Sequence, residues 1–331
     1  MPVSFLNFRF HSHAAARLLR DYLDFKYKLG HTSFGHSHGP ARDAAHFDIF
    51  VSEMAIADIK QLDEAALSNW VYGPPVSSEY AKNKRISFLR GFYVYLVRRK
   101  LVPYNLGYRL PIIKTPPYKP YIYSLLEIHQ ILEEAAKFPE PIGPSLKTLF
   151  FLIYACGLRL GEPLALKIKD VDFDESTLSL WNTKFHKERL VPFSPAVAKT
   201  LKKHLRYCHE QGAKLNPADR FFCLLKHRGR LSMVQHYFRK IRKRLNLPKK
   251  TRIHDLRHSF AVHRLYKWYQ EGAHPMNKLP MLSRYMGHAS VHHTQVYLTI
   301  TLSLLREGEN RFEKAFGKIG QSSLRRALRR L

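Results

Sequence analysis

Residues 154–173 read YACGLRLGEPLALKIKDVDF, and this stretch decides how the second half of the chain is organised. It closes an apolar run over residues 145–154 that has the length and spacing of a buried helix. Gly157 and Gly161 bracket Arg159, so the run stops, a turn presents an arginine, and another short helix is expected over residues 162–168. Beyond it, residues 171–173, 177–183 and 189–193 alternate apolar and polar side chains in the manner of a small antiparallel sheet. After Ser194 the spacing is helical again. The expected fold class is therefore mainly α with a small antiparallel β-sheet.

Toward the N-terminus, Ser124 and Glu127 have capping-box spacing ahead of Ile128, Ile131 and Leu132, so a helix begins there. Residues 103–123 hold Pro103, Pro111, Pro116, Pro117 and Pro120 among tyrosines and basic side chains. Proline removes backbone donors and favours extended chain, which predicts a semi-rigid connector. Before it, residues 18–29 (closed by Gly30), 41–54, 63–70 and 79–100 are patterned as helices. The longest carries Ile86, Leu89, Phe92, Tyr93 and Leu96 near 3.6-residue spacing, beside Lys82, Lys84, Arg85, Arg90, Arg98 and Arg99. Two domains joined by a connector follow: a basic helical domain over 1–102, a connector over 103–123, and a second domain over 124–331 that ends in a tail helix.

The 331 residues exceed a usual single domain, and 45% hydrophobic with 13% aromatic residues is too apolar for a disordered chain. Lys and Arg number 55 against 26 Asp and Glu, a formal charge of +29. Such an excess on a folded surface points to a phosphate-bearing partner, nucleic acid first. The densest clusters, residues 238–250 and 324–331, would suit an anionic membrane surface if they stood alone. Basic residues are instead spread along the chain, and no stretch reaches the ~18 consecutive apolar residues of a membrane span. Cys156, Cys208 and Cys223 have no paired spacing, so neither a disulfide framework nor a cysteine zinc site is indicated, and a reducing, cytoplasmic location is expected.

Two further stretches carry chemistry: RIHDLRHSFA at residues 252–261 and MLSRYMGHASVHHTQVY at 281–297. With Gly-Leu-Arg at 157–159 followed by Glu162, His254 and Arg257 three apart, Gly287-His288, a tyrosine nine residues later at Tyr297, and Lys184 within TKFHKERLVPF (183–193), the chain resembles the tyrosine recombinase (phage integrase) family, in order and in spacing. The resemblance implies a SAM-like helical core-binding domain before the connector and the recombinase catalytic domain after it. It implies site-specific cleavage and rejoining of double-stranded DNA through a 3′-phosphotyrosyl intermediate, by a homotetramer on two DNA sites, with accessory recombination proteins as further partners. Service to a mobile element is the expected biological setting. Glu162 would be a supporting residue that orients the site, and Phe312 and Phe316 would dock the tail helix into a neighbouring protomer or into their own core.

Each residue type suits its part. A tyrosine hydroxyl can become a covalent phosphoryl ester, the role of Tyr297. Two guanidiniums offer permanently charged planar forks to the nonbridging oxygens of the transition state, the role of Arg159 and Arg257. A lysine on a hairpin can protonate the departing 5′ oxygen; Lys184 holds that place, with Lys187 second on the same turn and otherwise a candidate DNA contact. His254 and His288 would assist proton movement at the tyrosine and hydrogen-bond the phosphate. The phosphotyrosyl bond conserves the energy of the broken link, so neither ATP nor a metal is required and no cofactor is expected. Lys82, Lys84 and Arg85 are candidate phosphate contacts in the first domain, and phosphate contacts would make binding steeply salt dependent.

Other readings use the same residues. His254 and His258, four apart, invite a zinc helix, but Asp255 stands where such a site needs its glutamate. His11, His13, His36 and His38 read as loop histidines. Trp181, Phe185 and Tyr154 read as core or hairpin packing, as do most of the 18 tyrosines. A protein that binds DNA without cutting it would have no need of the whole catalytic set. A topoisomerase-like enzyme would keep the set and relax DNA at no fixed site.

Overall fold

The computed structural model describes residues 10–30, 40–73, 78–116, 118–181, 188–225, 230–288, 290, 292 and 294–301. The chain divides into two units, Met1–Tyr118 and Lys119–Leu331.

In the first unit, four helices appear where the apolar spacing requires them: α1 (Ala16–Lys28), α2 (Pro40–Glu53), α3 (Glu64–Tyr72) and α4 (Glu79–Arg98). Gly30, at φ 85°, ends the α1 segment. Asp63 caps α3 by accepting the Ala66 N–H at 2.7 Å, and Ser78 caps α4 through the Ala81 N–H at 3.2 Å. Apolar faces meet in a ring cluster in which Phe47 meets Trp70 edge-on at 5.0 Å and Tyr22 meets Phe92 at 5.4 Å. The segment expected as a connector is tied down at both ends. Arg90 donates to the carbonyls of Gly107 and Leu110, both at 3.0 Å, and Asn83 pairs with the backbone of Ile113. Prolines remove donors from this stretch but leave its carbonyls able to accept, and side chains of α4 supply the donors. At the far end, Tyr123 is fully buried in the second unit.

The second unit opens with α5 (Leu125–Ala136), started by the expected box: Ser124 Oγ accepts the Glu127 N–H at 3.1 Å and Glu127 accepts the Ser124 N–H at 2.7 Å. Next, α6 (Ile142–Ala155) forms the centre of the core, with Leu146, Leu149, Phe150, Leu152 and Ile153 fully buried. Its two buried hydroxyls are satisfied one turn back, Ser145 on the Pro141 carbonyl at 2.9 Å and Thr148 on the Pro144 carbonyl at 3.1 Å. After the one-turn α7 (Gly161–Ala165) comes an antiparallel sheet in the order β1 (Val171–Asp172), β2 (Thr177–Leu180), β3 (Arg189–Pro192). Register sets Leu178 opposite Val191 and Leu180 opposite Arg189. The strands are shorter than the alternation predicted, and residues 182–187 lie outside the described residues.

Four longer helices complete the unit: α8 (Pro195–Glu210), α9 (Arg230–Arg244), α10 (His254–Gln270) and α11 (Pro275–Met286). Residues 294–301 are also helical. The Tyr123 N–H donates to Ser259 Oγ at 2.8 Å, pinning the entry to α5 against α10. Phe312, Phe316 and the basic end at 324–331 lie outside the described residues. Among the described residues no helix is long and apolar enough to cross a membrane.

Candidate active site

Four stretches of the second unit converge: the turn between α6 and α7, strand β3, the N-terminal turns of α10, and the chain from the end of α11 to Tyr297. Glu162 is the hub. Its carboxylate accepts the Arg159 backbone N–H at 2.8 Å and the Arg159 side chain at 3.0 Å. It also takes a two-pronged pair from Arg189, each prong 2.9 Å, and an Arg257 nitrogen lies 4.0 Å away. Burial alone would raise the pKa of Glu162; the Arg189 hydrogen bond and charge, the Arg159 N–H and the Arg257 charge outweigh it and hold the carboxyl below its ordinary value.

Three guanidiniums thus surround one carboxylate, and the excess positive charge is fixed by further hydrogen bonds. Arg159 donates to the Gly287 carbonyl at 2.8 Å. Arg257, 1% exposed, donates to the carbonyls of Gly157 and Met286, both at 2.6 Å. Burial, then the charge of Arg159, pushes the Arg257 pKa down, so a bound anion would relieve both arginines. Two glycines make this crowding feasible. Gly287 ends α11 in the left-handed region at φ 65°, where a Cβ would come within 2.8 Å of Arg189. Gly157, at φ 60°, would drive a Cβ into the ring of Phe260.

On the other side stand the histidines and the tyrosine. Tyr297 is 2% exposed, and burial pushes its pKa up to about 12 although Arg257 and Arg159 pull it back. Its hydroxyl lies 2.8 Å from His258 Nδ1. The His288 ring stacks on the tyrosine with centroids 6.2 Å apart, and its Nδ1 lies 2.8 Å from Thr294 Oγ1. His254 packs edge to face on His258 at 4.6 Å. Burial, then the Arg257 and Arg252 charges, lowers the His254 pKa to about 4; burial, then His254 and Arg252, lowers His258 to about 3. Tyr297, His254 and His258 are therefore uncharged near neutral pH. Asp255, whose place in HDLRH decided against a zinc helix, is fully buried and accepts the Arg252 N–H at 2.7 Å, fastening the start of α10. Among the described residues no three His, Cys, Asp or Glu side chains gather as a metal ligand set.

Of the residues named from sequence, Arg159, Glu162, His254, Arg257, His288 and Tyr297 share this one site. Lys184 and Lys187 lie outside the described residues. Lys82, Lys84 and Arg85 belong to the other unit; there the Arg85 guanidinium lies 4.8 Å over the Trp70 ring and donates to the Trp70 carbonyl, while Lys82 and Lys84 are half-buried. Trp181, expected as packing, is instead 53% exposed, held by its N–H on Asp170 at 3.0 Å. It lines a groove of about 810 Å³ beside Arg189, Arg284, Gly287 and His288. Tyr154 packs against the core with its hydroxyl 2.9 Å from His263. His11 and His13 are exposed, and His36, His38 and Phe185 lie outside the described residues.

Sequence reading passed over two members of the site. Arg189 occupies the same face of β3 as the buried Val191, and an arginine on the inward phase of a strand was the signal available. His258 was weighed only as a metal ligand.

The model of the phage integrase family matches residues 125–302. A protein of Sinorhizobium fredii (strain NBRC 101917 / NGR234) named as an integrase/recombinase, y4rB, is 31% identical over 293 residues, covering 83% of this chain and 86% of that protein. Tyrosine recombinase XerC of Halalkalibacterium halodurans is 30% identical over 280 residues, 80% of this chain and 86% of its own length. The XerH site-specific recombinase, crystallised on its palindromic difH substrate after cleavage, shares the fold with a TM-score of 0.61 at 18% identity, over 94% of this chain and 93% of that one.

Proposed function

Given that the chain belongs to the phage integrase family, we propose that it is a site-specific DNA recombinase that breaks and rejoins strands through a 3′-phosphotyrosyl bond to Tyr297. One observation carries the reading. Two arginines with excess positive charge, Arg159 and Arg257, and a buried tyrosine hydroxyl come from distant parts of the chain to one site.

Chemistry follows from what these groups can do. A phosphodiester seated on Arg159 and Arg257 gains charge on its nonbridging oxygens as it becomes pentacoordinate, and fixed guanidiniums stabilise that charge without reorganising. Glu162 and Arg189 hold the clamp in place; neither needs to touch DNA. Tyr297 forms its bond to phosphorus as the 5′ oxygen departs, and Lys184 protonates that oxygen. His288 braces the tyrosine ring. Because the phosphotyrosyl ester keeps the energy of the broken bond, a 5′ hydroxyl of another strand restores DNA with no ATP. Assembly as four protomers on two sites, and service to a mobile element, complete the reading.

A nicked duplex, which loses a short strand on cleavage and so traps the adduct, tests it. Sequences recovered from random DNA by binding to the protein supply the substrate. Wild-type protein is expected to give a covalent adduct on a denaturing gel, and Tyr297→Phe none while still binding. Binding by both with no adduct from either would favour a protein that only binds DNA. Adduct at every sequence alike, with relaxation of supercoils, would favour a topoisomerase. Recurrence of the selected sequence at the borders of the DNA segment that carries the gene is the result expected for a mobile element.

A further inference from the structure

We propose that His258 is the proton acceptor for Tyr297: it holds the hydroxyl before attack and takes up its proton as the bond to phosphorus forms. The inference rests on reading Tyr297 as the nucleophile and adds the group that activates it. His258 lies one turn after His254 and directly follows Arg257 on α10, so the arginine clamp and the acceptor are placed by the same rigid helix. The 2.8 Å separation of Nδ1 and the hydroxyl is hydrogen-bonding distance. The other two histidines are directed elsewhere. His288 turns its Nδ1 to Thr294 and meets the tyrosine by stacking. His254 stands against the ring of His258.

Surroundings fix when the proton moves. His254 and Arg257 on the same helix, Arg252 before it, and His288 beyond α11 all bear on the imidazole, and together with burial they keep it neutral and able to accept. A seated phosphate brings negative charge against Arg257 and Arg252, and that charge grows in the transition state. Proton affinity at His258 therefore rises as Tyr297 attacks. The electrons balance simply. The Tyr297 oxygen to phosphorus bond forms, the phosphorus to 5′ oxygen bond breaks, the tyrosine proton passes to Nδ1, and Lys184 supplies a proton to the leaving oxygen. In rejoining, the 5′ hydroxyl passes its proton back to Lys184 as it attacks phosphorus, the bond from phosphorus to the Tyr297 oxygen breaks, and His258 returns the proton to the departing tyrosine.

Leaving-group substitution separates this role from one at the other end of the reaction. Wild type, His258→Asn and His258→Ala are compared on two nicked duplexes of the selected sequence. One is ordinary, and the other has sulfur in place of the bridging 5′ oxygen, which departs as a thiolate and needs no proton. Asparagine can keep a hydrogen-bonding atom near the Nδ1 position but cannot take up a proton, and it decides the matter if the alanine variant folds poorly. Expected are DNA binding near the wild-type level for His258→Asn and adduct formation slowed about 100-fold on both duplexes. A wild-type rate for His258→Asn would overturn the proposal. So would rescue by the sulfur duplex, since His258 would then act on the leaving oxygen. No adduct from wild type on either duplex removes the nucleophile itself, and this inference with it.

Discussion

The two units differ in the buried polar groups that join their apolar cores: Asp48, bonded to Ser12 and the His11 N–H, in the first, and a cluster of arginines about Glu162 in the second. In the first, the ring cluster of Tyr22, Phe47, Trp70, Phe88 and Phe92 forms an apolar centre. In the second, a comparable apolar core around α6 is joined by a buried polar site in which Glu162, Arg189 and Arg257 satisfy one another and several backbone carbonyls. A core of rings is stabilised by area and fit, and it tolerates change in proportion to the volume lost. A buried polar network is stable only while every member is present, because each lost partner leaves a desolvated charge or carbonyl behind. In the first unit a change among the rings leaves the basic surface side chains in place; in the second, Arg257, proposed to seat the phosphate, is itself a member of the buried network.

The strongest attempt to break this contrast is Arg257→Ala. The Gly157 and Met286 carbonyls lose their donor and Glu162 loses a neighbouring charge, so the unit should lose about 3–5 kcal/mol. Adduct formation should fall by about 10³-fold. Denaturant unfolding and the nicked-duplex assay on one preparation check both, and a loss of activity with unchanged stability would separate the two roles. Phe47→Ala is the counterpart in the first unit. It should cost about 3–5 kcal/mol of stability, with the rate of adduct formation by the DNA-bound protein unchanged.

Acid sharpens the comparison next. His204, 3% exposed and packed against the rings of Phe221 and Phe222, has its pKa lowered by burial to about 4. The unfolded chain keeps the ordinary value near 6.5, so on acidification it is protonated first. The stability is therefore whole above about pH 6.5, drains away as pH falls toward 4, and then levels off. The loss is roughly 3 kcal/mol at about 1.4 kcal/mol per pH unit; His254 and His258 act with the same sign. Unfolding at pH 7 and pH 4.5 should show His204→Phe with less acid sensitivity than the parent. The smallest effect belongs to Lys82→Ala on α4. If Lys82 touches a phosphate, the slope of log binding constant against log salt should fall by about one, with the unfolding midpoint unmoved.

Much of this was legible in the chain. The capping pair Ser124 and Glu127, the stops at Gly30 and Gly157, and the inward alternation of the strands all act between near neighbours, so spacing alone reveals them. The connector was read as semi-rigid extended chain because its prolines forbid regular structure, and spacing could not show that Arg90 and Asn83 would hold its carbonyls. Trp181 was read as packing because large aromatics usually are buried, yet Asp170 holds its N–H in place while half of the ring stays open.

Order along the chain pointed to the family and to the existence of most of the helices, because these depend on local geometry and on a fixed succession of motifs. Only tertiary structure decided that Arg189 grips Glu162, twenty-seven residues away, and that His258, thirty-nine residues before Tyr297, is the histidine at its hydroxyl. Spacing tells which side chains share a helix face. Which of two neighbouring histidines on α10 meets a partner from another part of the chain depends on how that helix is turned, and packing against α6 and α11 sets the turn.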